Sequence, residues 1–141
     1  YAAELKVPTV IHIREAWDDA VSIMSAADLS AGGVVHCFTG TMENAQKSLE
    51  LGLHISFTGV ITFPRSKELR EVVKEVPVDK MFFETDCPYL SPPPYRGKRN
   101  HPRYVRQVAE KAAEALQMDF DELLSNTTKN ALRFFRLEGR V

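Results

Sequence analysis

The sequence predicts an α/β fold of parallel strands joined by helical crossovers. Three observations carry this. Short apolar, β-branched runs alternate with helical-period segments four times along the chain. Glycine or proline punctuates most of the junctions. The strand runs are nearly all apolar and not alternating, as strands covered on both faces must be. A strand–helix rhythm of this kind implies right-handed crossovers between parallel strands.

The elements follow in order. VPTVIHI, after Val7-Pro8, reads as the first strand. EAWDDAVSIMSAA places Trp17, Ala20, Val21 and Met24 on one helical face and is closed at Gly32-Gly33. GVVHCF is the second strand. TMENAQKSLELG is a helix with Thr41 as its N-cap and Gly52 as its stop. LHISFTG is the third strand, and SKELREVVKEVP the next helix, ended by Pro77. DKMFFETD is the fourth strand, ending on acids. A proline-rich loop, CPYLSPPPYRGKRNHP, precedes the amphipathic helix RYVRQVAEKAAEALQ. DFDELLSNTTKNALRFFRL reads as a final helical pair, capped by Asp119 or Asp121 and by Thr127.

Composition bounds the classes. With 141 residues, 44% hydrophobic and 26% charged, the chain reads as one globular domain, residues 1–141. No apolar run approaches the roughly 20 residues that cross a bilayer. The opening YAAELKVP has neither the basic nor the apolar region of a signal peptide, and reads as a helix end joined mid-stride. Two cysteines far apart, Cys37 and Cys87, form no disulfide framework, so free thiols and a cytoplasmic, reducing setting are expected. A net charge of −1 means that any nucleic acid is held by a local basic patch.

The polar residues of the strands carry the chemistry. His12, His36 and Asp86 each stand at or near the C-terminal end of a strand, where ligands bind in α/β sheets and barrels. One strand histidine is ordinarily a core residue. Two histidines and an aspartate at equivalent places on three βα units point to a metal. Imidazole with carboxylate suits Zn²⁺, Mn²⁺ or Fe²⁺, and also admits Mg²⁺. Asp86 is the better ligand. Glu84 shares its side of the strand one layer deeper, and reads as a hydrogen-bonding partner to the ligands. His54, at the start of its strand, reads as structural, and His101 as solvated. Cys37 and Cys87 flank ligands and read as small buried residues facing the helices. Arg96, Lys98, Arg99, Arg103 and Arg106 crowd the loop after Asp86. Arg96, Lys98 and Arg99, with Arg14 just past His12, are candidates to grip phosphates, while Arg103 and Arg106 face solvent. Tyr89, Tyr95 and Tyr104 are candidates to stack on bases.

VPTVIHIREAWDDA, GVVHCFTGTMENAQKSLELGLHISFTGVITF, FFETDCPYLSPPPYRGKRNHP and NTTKNALRFF closely resemble the TatD family of metal-dependent hydrolases, described as deoxyribonucleases. The resemblance implies a (β/α)₈ barrel with one or two divalent metal ions (Mg, Mn or Zn) and a DNA substrate. His12, His36 and Asp86 match the family's ligands in its IHxR, HCF[TS]G and ETDxPxL motifs. The family's HxH pair and bridging glutamate have no counterpart here. The resemblance therefore implies the C-terminal half only, strands five to eight of a TIM-type barrel, a complete barrel taking about 250 residues. The expected function is hydrolysis of DNA phosphoesters, with Asp86 as the catalytic group. The alternatives are an amidohydrolase-like enzyme on a small substrate, and an inactive fragment. Two open sheet edges further imply self-association or pairing with the N-terminal half.

Overall fold

Four strands, Thr9–His12 (β1), Gly33–His36 (β2), His54–Phe57 (β3) and Met81–Phe83 (β4), pair in parallel in the order β1-β2-β3-β4. The computed structural model describes residues 1–139; the last two residues of the expected domain lie outside the described residues. Helices Trp17–Ala26 (α2), Met42–Glu50 (α3) and Lys67–Glu75 (α4) make the three crossovers. A one-turn helix, Ala2–Leu5 (α1), precedes β1, and Val105–Leu116 (α5) and Phe120–Phe134 (α6) follow β4.

Local chemistry explains the crossovers. In α3, Thr41 Oγ1 accepts the Asn44 N–H while the Asn44 side chain accepts the Thr41 N–H, a reciprocal cap. Gly52, at φ 76°, turns the chain out of α3 and into β3. In α4, Leu69, Val72 and Val73 fall on one face and are buried, with Val76 just past the helix end. Each such side chain stabilises the fold by roughly 1.5–3 kcal/mol when fully covered.

The strands sort their side chains by alternation. Val35, Ile55, Phe57 and Met81 face the helices and form the main core with Val73, Val108, Ala112 and Leu123. Val34 and Phe82 face the other way, where Phe134 from the end of α6 packs on them. β1 and β4 are edge strands: among the described residues each pairs with one neighbour.

Two expectations are corrected. The final helical pair is one helix of 15 residues, capped by Asp119, whose Oδ1 accepts the Glu122 N–H. Thr127 is not a cap; it lies buried mid-helix and its hydroxyl bonds back to the Leu123 carbonyl, so the chain does not break there. The fourth strand ends at Phe83, not at Asp86. Glu84 still donates its N–H to the Phe57 carbonyl, but Asp86 is left-handed at φ 53°, and the ladder stops.

Candidate metal centre

His12 and His36 end β1 and β2, and the register makes them direct neighbours across the two strands. Their rings stand 5.5 Å apart. His36 is fixed from below by Glu84. His36 Nδ1 lies 2.6 Å from Glu84 Oε2, and Glu84 Oε1 accepts the Cys37 N–H at 2.8 Å. A carboxylate at Nδ1 makes that nitrogen the donor and leaves the Nε2 lone pair available. Nε2 faces Asp86, with 3.6 Å between it and Asp86 Oδ1. Cys37 and Asp86 both have left-handed backbones, at φ 48° and 53°. Non-glycine residues pay roughly 1–3 kcal/mol for such conformations, which concentrate at functional sites.

This donor set fits a divalent cation. The 3.6 Å between Nε2 and Oδ1 is compatible with two donors sharing one ion at about 2.0–2.2 Å each. Among the described residues neither Glu84 nor Asp86 is ion-paired with a lysine or arginine, and each lies near a ring nitrogen of His36. No three histidine, cysteine or acidic side chains converge as a ready-made metal shell among the described residues. His36 and Asp86 form the close pair, and His12 stands exposed in the neighbouring register position.

The loop after Asp86 is held by a residue that sequence reasoning missed. Asn100 is buried, and its amide donates to the carbonyls of Thr85, at 2.8 Å, and of Tyr89. The Asn100 N–H donates to Pro88, so one side chain staples the loop beside Asp86. The only sequence signal was its type, an asparagine in a Gly/Pro-rich turn. Arg96 is drawn into the same framework: its guanidinium sits 3.7 Å from the centre of the Phe63 ring and donates to the Ser91 carbonyl. Arg96 is nonetheless exposed, as are Arg14, Lys98, Arg99, Arg103 and Arg106. Tyr104 is not available to stack on a base, because it is buried and stacked on Tyr95 at 3.9 Å; Tyr89 is exposed.

Cys37 is half-buried, its Sγ 3.6 Å from Thr58 Oγ1. Burial pushes its thiol pKa up, the hydroxyl contact opposes this, and Asp86 and Glu84 add to the rise. Cys87 is exposed, contrary to the expectation that it faces the helices: the left-handed turn at Asp86 breaks strand alternation before it. His54 packs flat on Phe82, ring centres 4.9 Å apart and 7° between planes, which bears out a structural role. His101 is exposed, and its Nδ1 accepts the Arg103 N–H. Among the described residues no helix is long and apolar enough to cross a membrane.

Imidazole and carboxylate at the C-terminal strand ends of a parallel βα sheet stand where α/β proteins bind their ligands. The family model of TatD-related DNases matches residues 1–136, and the chain belongs to that family. It is 47% identical over 137 residues to YabD of Bacillus subtilis, described as an uncharacterized metal-dependent hydrolase, covering 96% of this chain and 54% of that protein. It is 36% identical to the 3'-5' ssDNA/RNA exonuclease TatD of Citrobacter rodentium, covering 95% of this chain and 53% of that one. The crystal structure of YJJV, a TatD homolog from Escherichia coli, superposes with a TM-score of 0.90 at 28% identity, over 96% of this chain and 52% of that one. The chain thus spans about half the length of the curated relatives it matches.

Proposed function

We propose that this chain is the C-terminal half of a TatD-type (β/α)₈ barrel, a single domain over residues 1–141, built to hydrolyse DNA phosphoesters with divalent metal. The observation that carries the reading is the clamp on His36: Glu84 holds Nδ1 and Nε2 looks at Asp86. A divalent ion (Mg, Mn or Zn) supplies Lewis-acid polarisation of a phosphoryl oxygen and acidifies the water it binds. His12 and His36 would present ring nitrogens, and Asp86 a carboxylate oxygen, as its ligands. The second Asp86 oxygen would be free to take up the proton of an attacking water, the role that makes Asp86 the proposed catalytic group. Arg14, Lys98 and Arg99 contact phosphates from exposed positions. Arg96 does so from a guanidinium already oriented by Phe63. A relative named as a 3'-5' ssDNA/RNA exonuclease supports a single-stranded nucleic-acid substrate, and the two free thiols support the cytoplasm. The open edges of β1 and β4 support self-association or pairing with a complementary half.

The test is metal content by mass spectrometry on purified chain incubated with Mn²⁺, Zn²⁺ or Mg²⁺, followed by hydrolysis of an end-labelled single-stranded oligodeoxynucleotide. About one ion or more per chain is expected, lost in His36→Ala and Asp86→Ala, with no hydrolysis by Asp86→Ala. A chain that cannot be loaded overturns the metal centre. Unchanged hydrolysis by Asp86→Ala overturns its catalytic role.

A further inference from the structure

The loops after β3 and β4 meet in a stack that contains none of the candidate metal ligands. Phe63 is half-buried at the end of the 3₁₀ turn after β3, and the Arg96 guanidinium lies over its ring. The central guanidinium carbon stands 3.7 Å from the ring centre, so the cation rests in contact on the face of the ring. One edge of the guanidinium is fixed as well, because Arg96 Nη1 donates to the Ser91 carbonyl at 3.2 Å. The backbone that carries the ring is also held. Arg70, in α4, donates from Nη1 to the carbonyls of Ile61 and Phe63, each at 2.9 Å. The two loops touch again at Gly59, where a Cβ would meet the Leu90 carbonyl. Since β3 and β4 pair with each other, the stack lies inside the chain and neither terminus takes part in it.

Arg96 is exposed, and among the described residues no second aromatic ring covers it. It therefore offers a flat, weakly hydrated cation whose position is set by Phe63 on one face and by Ser91 at one edge. We infer that this plane stacks against one unpaired base of a single-stranded nucleic acid. Unstacked bases lie on guanidinium planes as they do on aromatic rings, and with little sequence preference, since every base presents a π-face. In a duplex those faces are already covered by neighbouring base pairs, so the platform selects single strands. Fixing the plane beforehand favours binding, because a free arginine must first give up its rotamer freedom. The N–H groups that Ser91 does not engage stay available to a phosphate, so one residue serves both base and backbone. Arg103 differs. It stands 5.1 Å from the Tyr104 ring and donates to the Tyr104 hydroxyl at 3.3 Å, so it is not laid in contact on a ring face. The platform rests on the nucleic-acid function proposed above, and adds to it the strandedness of the substrate and a contact to its bases.

Fluorescence anisotropy in EDTA, where hydrolysis cannot run, tests this with two labelled strands of equal length and charge. One is oligodeoxythymidylate and the other an abasic strand with the same phosphates. The wild-type chain is expected to bind the abasic strand about 5- to 150-fold more weakly. The salt dependence should be the same for both strands, because their phosphates are the same. Arg96→Lys keeps the charge and removes the plane, and is expected to bring the two affinities together. Phe63→Leu, which alters no charge, should narrow the gap, and Arg103→Lys should leave it at the wild-type value, with circular dichroism unchanged in each. Affinity for a duplex of the same length should not distinguish Arg96→Lys from wild type. A wild-type gap retained in folded Arg96→Lys, the same loss in Arg103→Lys, or a duplex weakened as much as the single strand overturns the platform. Equal wild-type affinity for the two strands overturns it and leaves the phosphate contacts standing. Binding of neither strand overturns the platform and the nucleic-acid function together.

Discussion

Glu84 engages both of its carboxylate oxygens, one on the His36 ring and one on the Cys37 N–H. Replacing one oxygen by an amide turns an acceptor into a donor facing a donor, or removes the charge that orients the imidazole. Glu84→Gln is expected to weaken divalent-metal affinity about 10- to 100-fold with the circular dichroism unchanged, read by titration calorimetry. Equal affinity would mean that His36 orients without it. His54 behaves differently. It is half-buried against Phe82 and Phe134, and its Nδ1 has no hydrogen-bond partner among the described residues. Burial, reinforced by Lys80, lowers its pKa below the ordinary value. The folded state therefore favours the neutral ring, and the unfolded chain takes up the proton first. The stability this ring contributes is complete above about pH 6.5 and is lost as pH falls below that. His54→Gln should flatten the acid side of the stability profile relative to wild type, measured by urea unfolding from pH 7 to 5; parallel profiles would contradict this.

At the scale of elements, the rim depends on how the loop after β4 is seated. Asn100 ties that loop to the backbone beside Asp86. Gly59, in the 3₁₀ turn Gly59–Thr62 after β3, lets the same loop approach: a Cβ there would run into the Leu90 carbonyl oxygen. The obstacle is backbone, so it cannot swing aside as a flexible side chain would. Gly59→Ala is expected to cost roughly 1–3 kcal/mol in urea unfolding, the scale of overpacking. It should also loosen the loop, seen as faster amide exchange at Asn100 and Leu90. A neutral substitution would show that the loop shifts freely. Little of this junction was legible in the sequence. LHISFTG announced a strand, and the proline run a loop, but nothing local states that Gly59 meets Leu90.

Over the whole molecule, a net charge of −1 leaves nucleic-acid affinity to local cations. Lys98 and Arg99 are exposed cations on the loop that Asn100 anchors. Each single-strand phosphate contact contributes about 0.7 to the slope of log affinity against log salt. Replacing both Lys98 and Arg99 by Gln should lower that slope by about 1.4 in anisotropy titrations with a single-stranded oligonucleotide. An unchanged slope would remove them from the binding surface. On the same scale, the sequence by itself determined the strand–helix order and most boundaries. These rest on local causes: apolar periodicity, the Thr41–Asn44 cap and the Gly52 turn. It also marked His12, His36 and Asp86, because an ionisable residue at the end of an apolar strand stands out wherever the chain folds. Only the tertiary structure decided that β1 and β2 register His12 beside His36, and that Glu84 reaches across to the His36 ring. It also decided that the turn at Asp86 throws Cys87 outward and that Tyr104 is sealed under Tyr95. Those outcomes are set by strand register, by a left-handed backbone and by packing between segments far apart in the chain, none of which a local pattern of residue types encodes.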